Sequence, residues 1–415
     1  MAQPTYPHVL IAGAGLSGLA LAQVLRKAGV SFEIFERDET ADARAQGWAI
    51  ALHGPLLADL KASMPEDIGP IDQTNHLIPL DHLPAQFVFY DITKPDMRVG
   101  VNDDDSGQIV RANRQRLRDW LRQRIPVQYN KRVVRVDDSG ERVVLHFADG
   151  SSARGDILVG AEGTRSTVRK HILHGQDIMN PLPVGTLVGE IELTGAEFAR
   201  QLELGHSAYI VMGHAEDQCS MFAALNKVAP DGKTGYYYFI LHWIDERAAL
   251  STEENPYWTV DASCEDLAAF ARDAIKPYPE HLRALAEKVP VERYRRPGIV
   301  LQSVELEASQ LPPGRIMLIG DAAHSMTPFR GEAGVCALTD ALNLGRTLTR
   351  IRDGCAKDAD MEKLMATYRD DMLNRAAKSS QVSNPVIGEY ARDPNYKLVT
   401  CGKEVAPLPE EVIVV

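Results

Sequence analysis

Three separated stretches of this chain place carboxylates beside glycines, where phosphates and hydroxyls could be held. The first, "GAGLSG", sets Gly13, Gly15 and Gly18 around Leu16 and Ser17, with Glu36 some twenty residues on. Glycines at this spacing allow a tight turn, close approach of a pyrophosphate to a helix N-terminus, and helix–sheet packing; the later carboxylate can accept from a ribose hydroxyl. The second, "LVGAEGTRSTVRK", holds Glu162 between Gly160 and Gly163. The third, "LIGDAAHSMTPFRGEAGVCALTDA", delivers Asp321 from an apolar run, turns at Pro328, and continues through a further glycine-rich loop. Carboxylates at the carboxyl edge of a parallel sheet can accept from ribose or ribityl hydroxyls. Arg114, at the start of a helical pattern, could meet a phosphate or the polar edge of a ring. The first motif implies an adenine dinucleotide without choosing between NAD and FAD.

The elements that must carry these residues follow from hydrophobic period. His8–Ala12 reads as a strand, Leu16–Ala28 as a helix with Leu16, Leu19, Ala20 and Val24 on one face, and Ser31–Glu36 as a second strand, making a βαβ unit. Arg111–Ile125 reads as one amphipathic helix. Turn signals at 138–140 and 149–150 divide a β-meander, and "GDILVGAEG" is a buried strand. From Pro183 to about Val291, strand-like runs rich in aromatics suggest a second, sheet-based domain. "RIMLIGDAAHS" then resumes the α/β pattern, before helices around Thr339–Ile351 and Ala359–Ser380. The expected division is a discontinuous dinucleotide-binding domain over 1–75, 106–182 and 292–385, a substrate domain over 76–105 and 183–291, and a tail over 386–415.

Composition bounds the alternatives. The 415 residues are 45% hydrophobic and 25% charged, with a net charge of −12, which argues against a nucleic-acid or anionic-membrane partner. Five scattered cysteines, without metal-ligand spacing, read as reduced thiols of a cytoplasmic protein. The apolar run 9–25 lacks a basic leader and is broken by glycines, so it is not read as a signal peptide, and no run is long enough for a membrane span.

Together the motifs resemble the group A flavoprotein monooxygenases, the para-hydroxybenzoate hydroxylase-like family, over roughly residues 7–380. "GAGLSGLALAQVLRKAGVSFEIFERD" is similar to the family's FAD pyrophosphate and ribose site, which includes Glu36 and the adjoining Arg37. "RQRLRDWL" matches its R-x-x-L-x-x-x-L segment and assigns Arg114 to FAD. "DILVGAEGTRSTVR" resembles the segment serving both FAD and NAD(P)H, with Glu162-Gly163 where Asp-Gly is usual. "GDAAHSMTPFRGEAGVCALTDALNL" resembles the G-D motif, with Asp321 at the ribityl chain and pyrophosphate. Its flavin-ring loop would comprise Pro328, Gly331, Ala333, Gly334 and Val335; Ala333 and Val335 replace a usual Gly and Asn, leaving backbone N–H groups to face the ring. Arg44 and Gly47 fall where the family places a loop near the flavin, with Arg44 at FAD or the nicotinamide.

The resemblance implies FAD as cofactor, NADPH or NADH as reductant, and transfer of one oxygen atom of O2 to a small substrate through a flavin C4a-hydroperoxide. Candidate acid–base residues are His53 in the loop region and Tyr209, Tyr238 and His242 in the substrate sheet, with Arg44 beside them. Strand alternation puts Tyr236, Tyr238, Ile240 and His242 on one face, suiting a flat aromatic or polycyclic compound. No "GWxWxIP" segment of a flavin halogenase is present. A flavin oxidase or dehydrogenase on this scaffold, or a non-redox flavin-binding protein, is the alternative. A monomer or homodimer is expected, with no metal.

Overall fold

The computed structural model describes residues 6–44, 47–103, 109–213, 219–329, 331–354, 358–383 and 403–404. Its first sheet is five-stranded, in the order Ile316–Leu318, Ile157–Gly160, His8–Ala12, Ser31–Phe35, Val127–Gln128, and every pairing is parallel. His8–Ala12 and Ile157–Gly160 are buried along their whole length, which is why both read as continuous apolar runs instead of alternating ones. The helix Leu16–Ala28 follows the first strand and packs on the 23-residue helix Glu332–Gly354. Their contact is close: a Cβ on Gly345 would lie 2.4 Å from Val24 Cγ1. The expected βαβ unit is therefore present, and both C-terminal helices, Glu332–Gly354 and Asp358–Ser383, run longer than the sequence pattern indicated. A three-stranded antiparallel meander spans Val133–Asp137, Val143–Phe147 and Ser152–Gly155.

The segment read as one helix from Arg111 divides. Ile109–Asn113 is a strand paired with Ala49–His53, and the helix is Arg114–Arg122. Asn113 ends the strand and caps the helix, its side chain accepting from Arg116 N at 3.1 Å. The strand before it exists only through its pairing with Ala49–His53, which the local pattern around Arg111 does not announce.

The second sheet has seven strands, with Val184–Thr194, Thr234–Ile244, Cys219–Val228, Ala208–Met212, Gln86–Asp91, Lys94–Asn102 and the short Lys403–Glu404 in that order. That last pair is the only described part of the tail. One face of the sheet, carrying Tyr209, Tyr237, Phe239 and Leu241, belongs to a large core shared with the helices Gly195–Leu204, Cys264–Ala274 and Glu280–Glu287. The other face is built in rows by the strand register. Phe89, Ile210, Phe222, Ile240 and Val188 lie opposite one another in one row; Phe87, Ala208, Ala224, Tyr238 and Glu190 form the next; Met212, Ser220, His242 and Thr186 form a third. This second face looks onto the body built around the parallel sheet, with Tyr238 against Trp48 and His242 against Phe329. No helix among the described residues is long and apolar enough to cross a membrane.

Candidate active site

The first glycine loop separates packing from ligand approach. Gly13 has φ +105°, and a Cβ there would stand 2.4 Å from the Ala161 carbonyl oxygen; one on Gly18 would stand 2.0 Å from Gly13 O. Gly15 is different, because a Cβ there would meet nothing within 4 Å. Gly13 and Gly18 thus close the turn and seat the helix, while Gly15 leaves open the space at the helix N-terminus where an anion is favoured. Leu16 begins that helix, and Ser17 lies against the third motif: a Cβ on Gly320 would come 3.1 Å from Ser17 Oγ. The two glycine-rich loops meet here, although three hundred residues separate them.

Glu36 is buried and accepts from Ala14 N at 2.8 Å and Asp38 N at 3.1 Å, with exposed Arg37 between. Asp321 opens the short helix Asp321–His324 and forms no ion pair with any described residue. Arg114 is the first residue of the helix Arg114–Arg122, and its side chain is exposed. Crowding lowers its pKa, and the charge of Asp321 opposes that shift. Gly47, at φ +85°, lies beside it, since a Cβ there would be 3.8 Å from Arg114 Cδ. Arg44 is half-exposed and donates to Asp38 at 2.8 Å. Ala333, Gly334 and Val335 fall in the first turn of the helix Glu332–Gly354, after Pro328 and Gly331, so their backbone N–H groups have no carbonyl partner within it. A Cβ on Gly334 would lie 3.3 Å from Ile50 Cδ1, which places this loop against the strand Ala49–His53.

Glu162 is turned elsewhere. Its carboxylate accepts from Ser166 Oγ at 2.7 Å and Val168 N at 2.9 Å, capping the helix Thr167–Ile172. Burial raises its pKa, and these hydrogen bonds oppose the rise. Gly163, at φ +80°, turns the chain after it.

Sequence reasoning missed the buried arginines that stitch the loops together. Arg118 donates to Ala14 O at 3.2 Å and Ala41 O at 2.6 Å; Arg169 donates to Ala322 O at 3.0 Å and to Thr164 O. Asp340, fully buried, accepts from Gly320 N at 2.9 Å, His324 Nε2 at 2.6 Å and Arg375 at 3.1 Å, fixing the start of the Asp321 turn. The proximity of Asp340 raises the His324 pKa despite its burial.

The sheet face meets this cleft at two places. The His242 ring lies 4.7 Å from that of Phe329, in the loop that follows Pro328. Burial lowers its pKa to about 4, so it is neutral near pH 7, and its Nδ1 has no hydrogen-bond partner. Thr186, paired directly with His242, has an equally unpartnered buried hydroxyl, as does Thr327. Farther along, Tyr238 stacks on Trp48 at 4.8 Å and accepts from Arg111 at 3.0 Å; burial raises the Tyr238 pKa. Tyr209 does not join this group. Ala208 shares the Tyr238 face, so Tyr209 points to the opposite one, fully buried and donating to Gln201 at 2.8 Å. The expectation that Tyr209 faces substrate is corrected accordingly. His53 sits at the far end of its strand from Ala49, before the helix Gly54–Ser63, and no described hydrogen bond or ring contact links it to His242, Tyr238 or Phe329.

An open cradle at Gly15, a buried carboxylate at Glu36, an unpaired Asp321 facing Arg114, and a free helix N-terminus at Ala333–Val335 fit an extended dinucleotide carrying a flat ring. The FAD binding domain family matches residues 6–51 and 114–383. The FAD-dependent monooxygenase thnD of Trichoderma harzianum is 42% identical over 382 residues, 91% of this chain and 92% of that protein. A putative FAD-containing monooxygenase from Photorhabdus luminescens shares the fold at a TM-score of 0.73, with 23% identity over 93% of this chain and 98% of that one. The structure of 2,6-dihydroxypyridine-3-hydroxylase from Arthrobacter nicotinovorans superposes at a TM-score of 0.71, with 18% identity, covering 98% and 99%. Fold and site define a flavoprotein oxidoreductase with a para-hydroxybenzoate hydroxylase-like fold. The chain belongs to the FAD binding domain family and is an FAD-dependent monooxygenase.

Proposed function

We propose that this monooxygenase takes electrons from NADPH or NADH and inserts one oxygen atom of O2 into a small, flat aromatic or polycyclic compound lying on the Tyr238–His242 face of the seven-stranded sheet. The observation that carries the reading is the contact of His242 with Phe329, which brings the apolar row Phe89, Ile210, Phe222 and Ile240 up to the flavin-ring loop. Bound FAD would supply the reductive activation of oxygen.

The protein's own residues supply position and dryness. Gly15, Glu36, Arg114 and Asp321 hold the dinucleotide, and the N–H groups of Ala333–Val335 border its ring. Arg44, half-exposed at the rim, is suited to the nicotinamide donor. The apolar row excludes water from the oxygen-transfer region. Neutral His242 accepts a hydrogen bond from a substrate hydroxyl through Nδ1, with Thr186 beside it. A pKa near 4 leaves His242 far below a phenol, so it orients and polarises the hydroxyl without holding the proton on its own.

The test is a screen of aromatic and polycyclic compounds for stimulated NAD(P)H and O2 consumption, with product mass as readout. Stimulated consumption with a product one oxygen heavier is expected. Bound flavin that NAD(P)H cannot reduce with any compound present overturns the reading.

A further inference from the structure

We infer that Arg111 and Tyr238 form an anion-binding subsite for an acidic group on the substrate. The inference rests on the reading that substrate lies on this sheet face, and adds its charge class: a flat aromatic acid.

Arg111 is 5% exposed, and no described carboxylate lies within ion-pair distance of it. Among the described residues its guanidinium has a single hydrogen bond, to the Tyr238 hydroxyl, and its Nε has no partner; it rests 5.7 Å over the Phe222 ring. A buried charge without a counter-charge is costly, and native proteins rarely leave one so. The other buried arginines show the usual solution, with Arg118 and Arg169 each donating to two backbone carbonyls. Among the described residues Arg111 has neither two carbonyls nor a carboxylate as partner. Its position is also distinctive: Phe222 belongs to the apolar row, and the register places two small residues, Ala208 and Ala224, beside Tyr238. Because the Tyr238 oxygen already accepts from Arg111, its own proton is available to a second acceptor. A carboxylate there would receive charge-assisted hydrogen bonds from both groups.

The strand sets the length of the ligand. Tyr238 and His242 lie on one face, four residues apart, which sets their Cα atoms about 14 Å apart at the rise of an antiparallel strand. Hydrogen bonds of about 2.8 Å at either end leave about 8 Å between acid and hydroxyl. Two fused aromatic rings bearing the groups at opposite ends span that distance, across Phe222 and Ile240.

The experiment titrates the FAD-loaded protein with 6-hydroxy-2-naphthoate and, separately, 6-hydroxy-2-naphthamide, read by calorimetry and by perturbation of the flavin spectrum. The wild type is expected to bind the acid at least tenfold more tightly than the amide. Arg111→Gln should abolish that preference, keep FAD, and leave amide affinity within threefold. If Arg111→Gln does not fold, Tyr238→Phe reports instead, reducing the preference severalfold with the guanidinium intact. Equal affinities in the wild type, no binding of either compound, or a preference that survives in the folded variant would overturn the assignment. Parallel NAD(P)H consumption separates the two readings: acid-selective binding without stimulated consumption upholds the subsite and counts against the proposed turnover of such compounds.

Discussion

Replacing Gly15 and Gly18 by alanine, one at a time, separates folding from cofactor binding. Gly15 has φ −75° and ψ −173°, a conformation open to any residue, and its new methyl would touch nothing. Such a change stabilises a folded chain by about 0.4–1 kcal/mol through the unfolded state. The same methyl would project into the space a pyrophosphate must enter, so FAD affinity should fall at least a hundredfold, about 2.7 kcal/mol. Gly18 has the opposite profile. A Cβ 2.0 Å from Gly13 O can be relieved only by moving helix from strand, and an overpacking cost of about 3 kcal/mol is expected. Denaturant melts of the apoprotein and FAD titration by quenching of flavin fluorescence read the two effects independently. Gly15→Ala with wild-type FAD affinity, or with a destabilised apoprotein, would refute the division of labour among these glycines.

Three further outcomes follow from named contacts. Asp340→Ala removes the acceptor shared by Gly320 N, His324 and Arg375, and should cost about 3–5 kcal/mol in a denaturant melt while weakening FAD through the Asp321 turn. Tyr209→Phe should lower stability by about 1 kcal/mol and leave turnover within about twofold, because among the described residues its hydroxyl bonds only Gln201, on the far face. His242, with a folded pKa near 4 against 6.5 when unfolded, takes up protons first in the unfolded chain; its stabilising share is complete above pH 6.5 and declines as pH falls towards 4. Between pH 7 and 5 the wild-type apoprotein should lose about 2 kcal/mol more than His242→Asn, and parallel pH profiles would contradict the neutral, buried imidazole.

What the sequence disclosed was local in character. The glycine turn, its strands, Glu36, and the Gly-Asp turn each announce themselves within a few residues, because backbone conformation and burial on both sheet faces dictate those residue types. What stayed hidden depends on distant pairing. Arg111 and Tyr238 are 127 positions apart, and Trp48 meets Glu190 across 142. Alternation correctly grouped Tyr238 with His242 on one strand, yet the side on which Tyr209 falls is fixed only by the pairing of Ala208 with Ala224. Glu162 illustrates a different limit: a carboxylate at the end of a strand suits a ligand hydroxyl or a helix N-terminus equally, and only the placement of Ser166 and Val168 decides where it points.

In the proposed reaction, the oxygen atom added to substrate comes from O2. The most direct test is turnover of the FAD-loaded protein with NAD(P)H and an aromatic acid that stimulates consumption, under 18O2, with product analysed by mass spectrometry. The predicted result is one heavy oxygen atom in the product, absent when the label is in water. Stimulated NAD(P)H consumption that yields hydrogen peroxide and no oxygenated product would instead mark an oxidase and contradict the account.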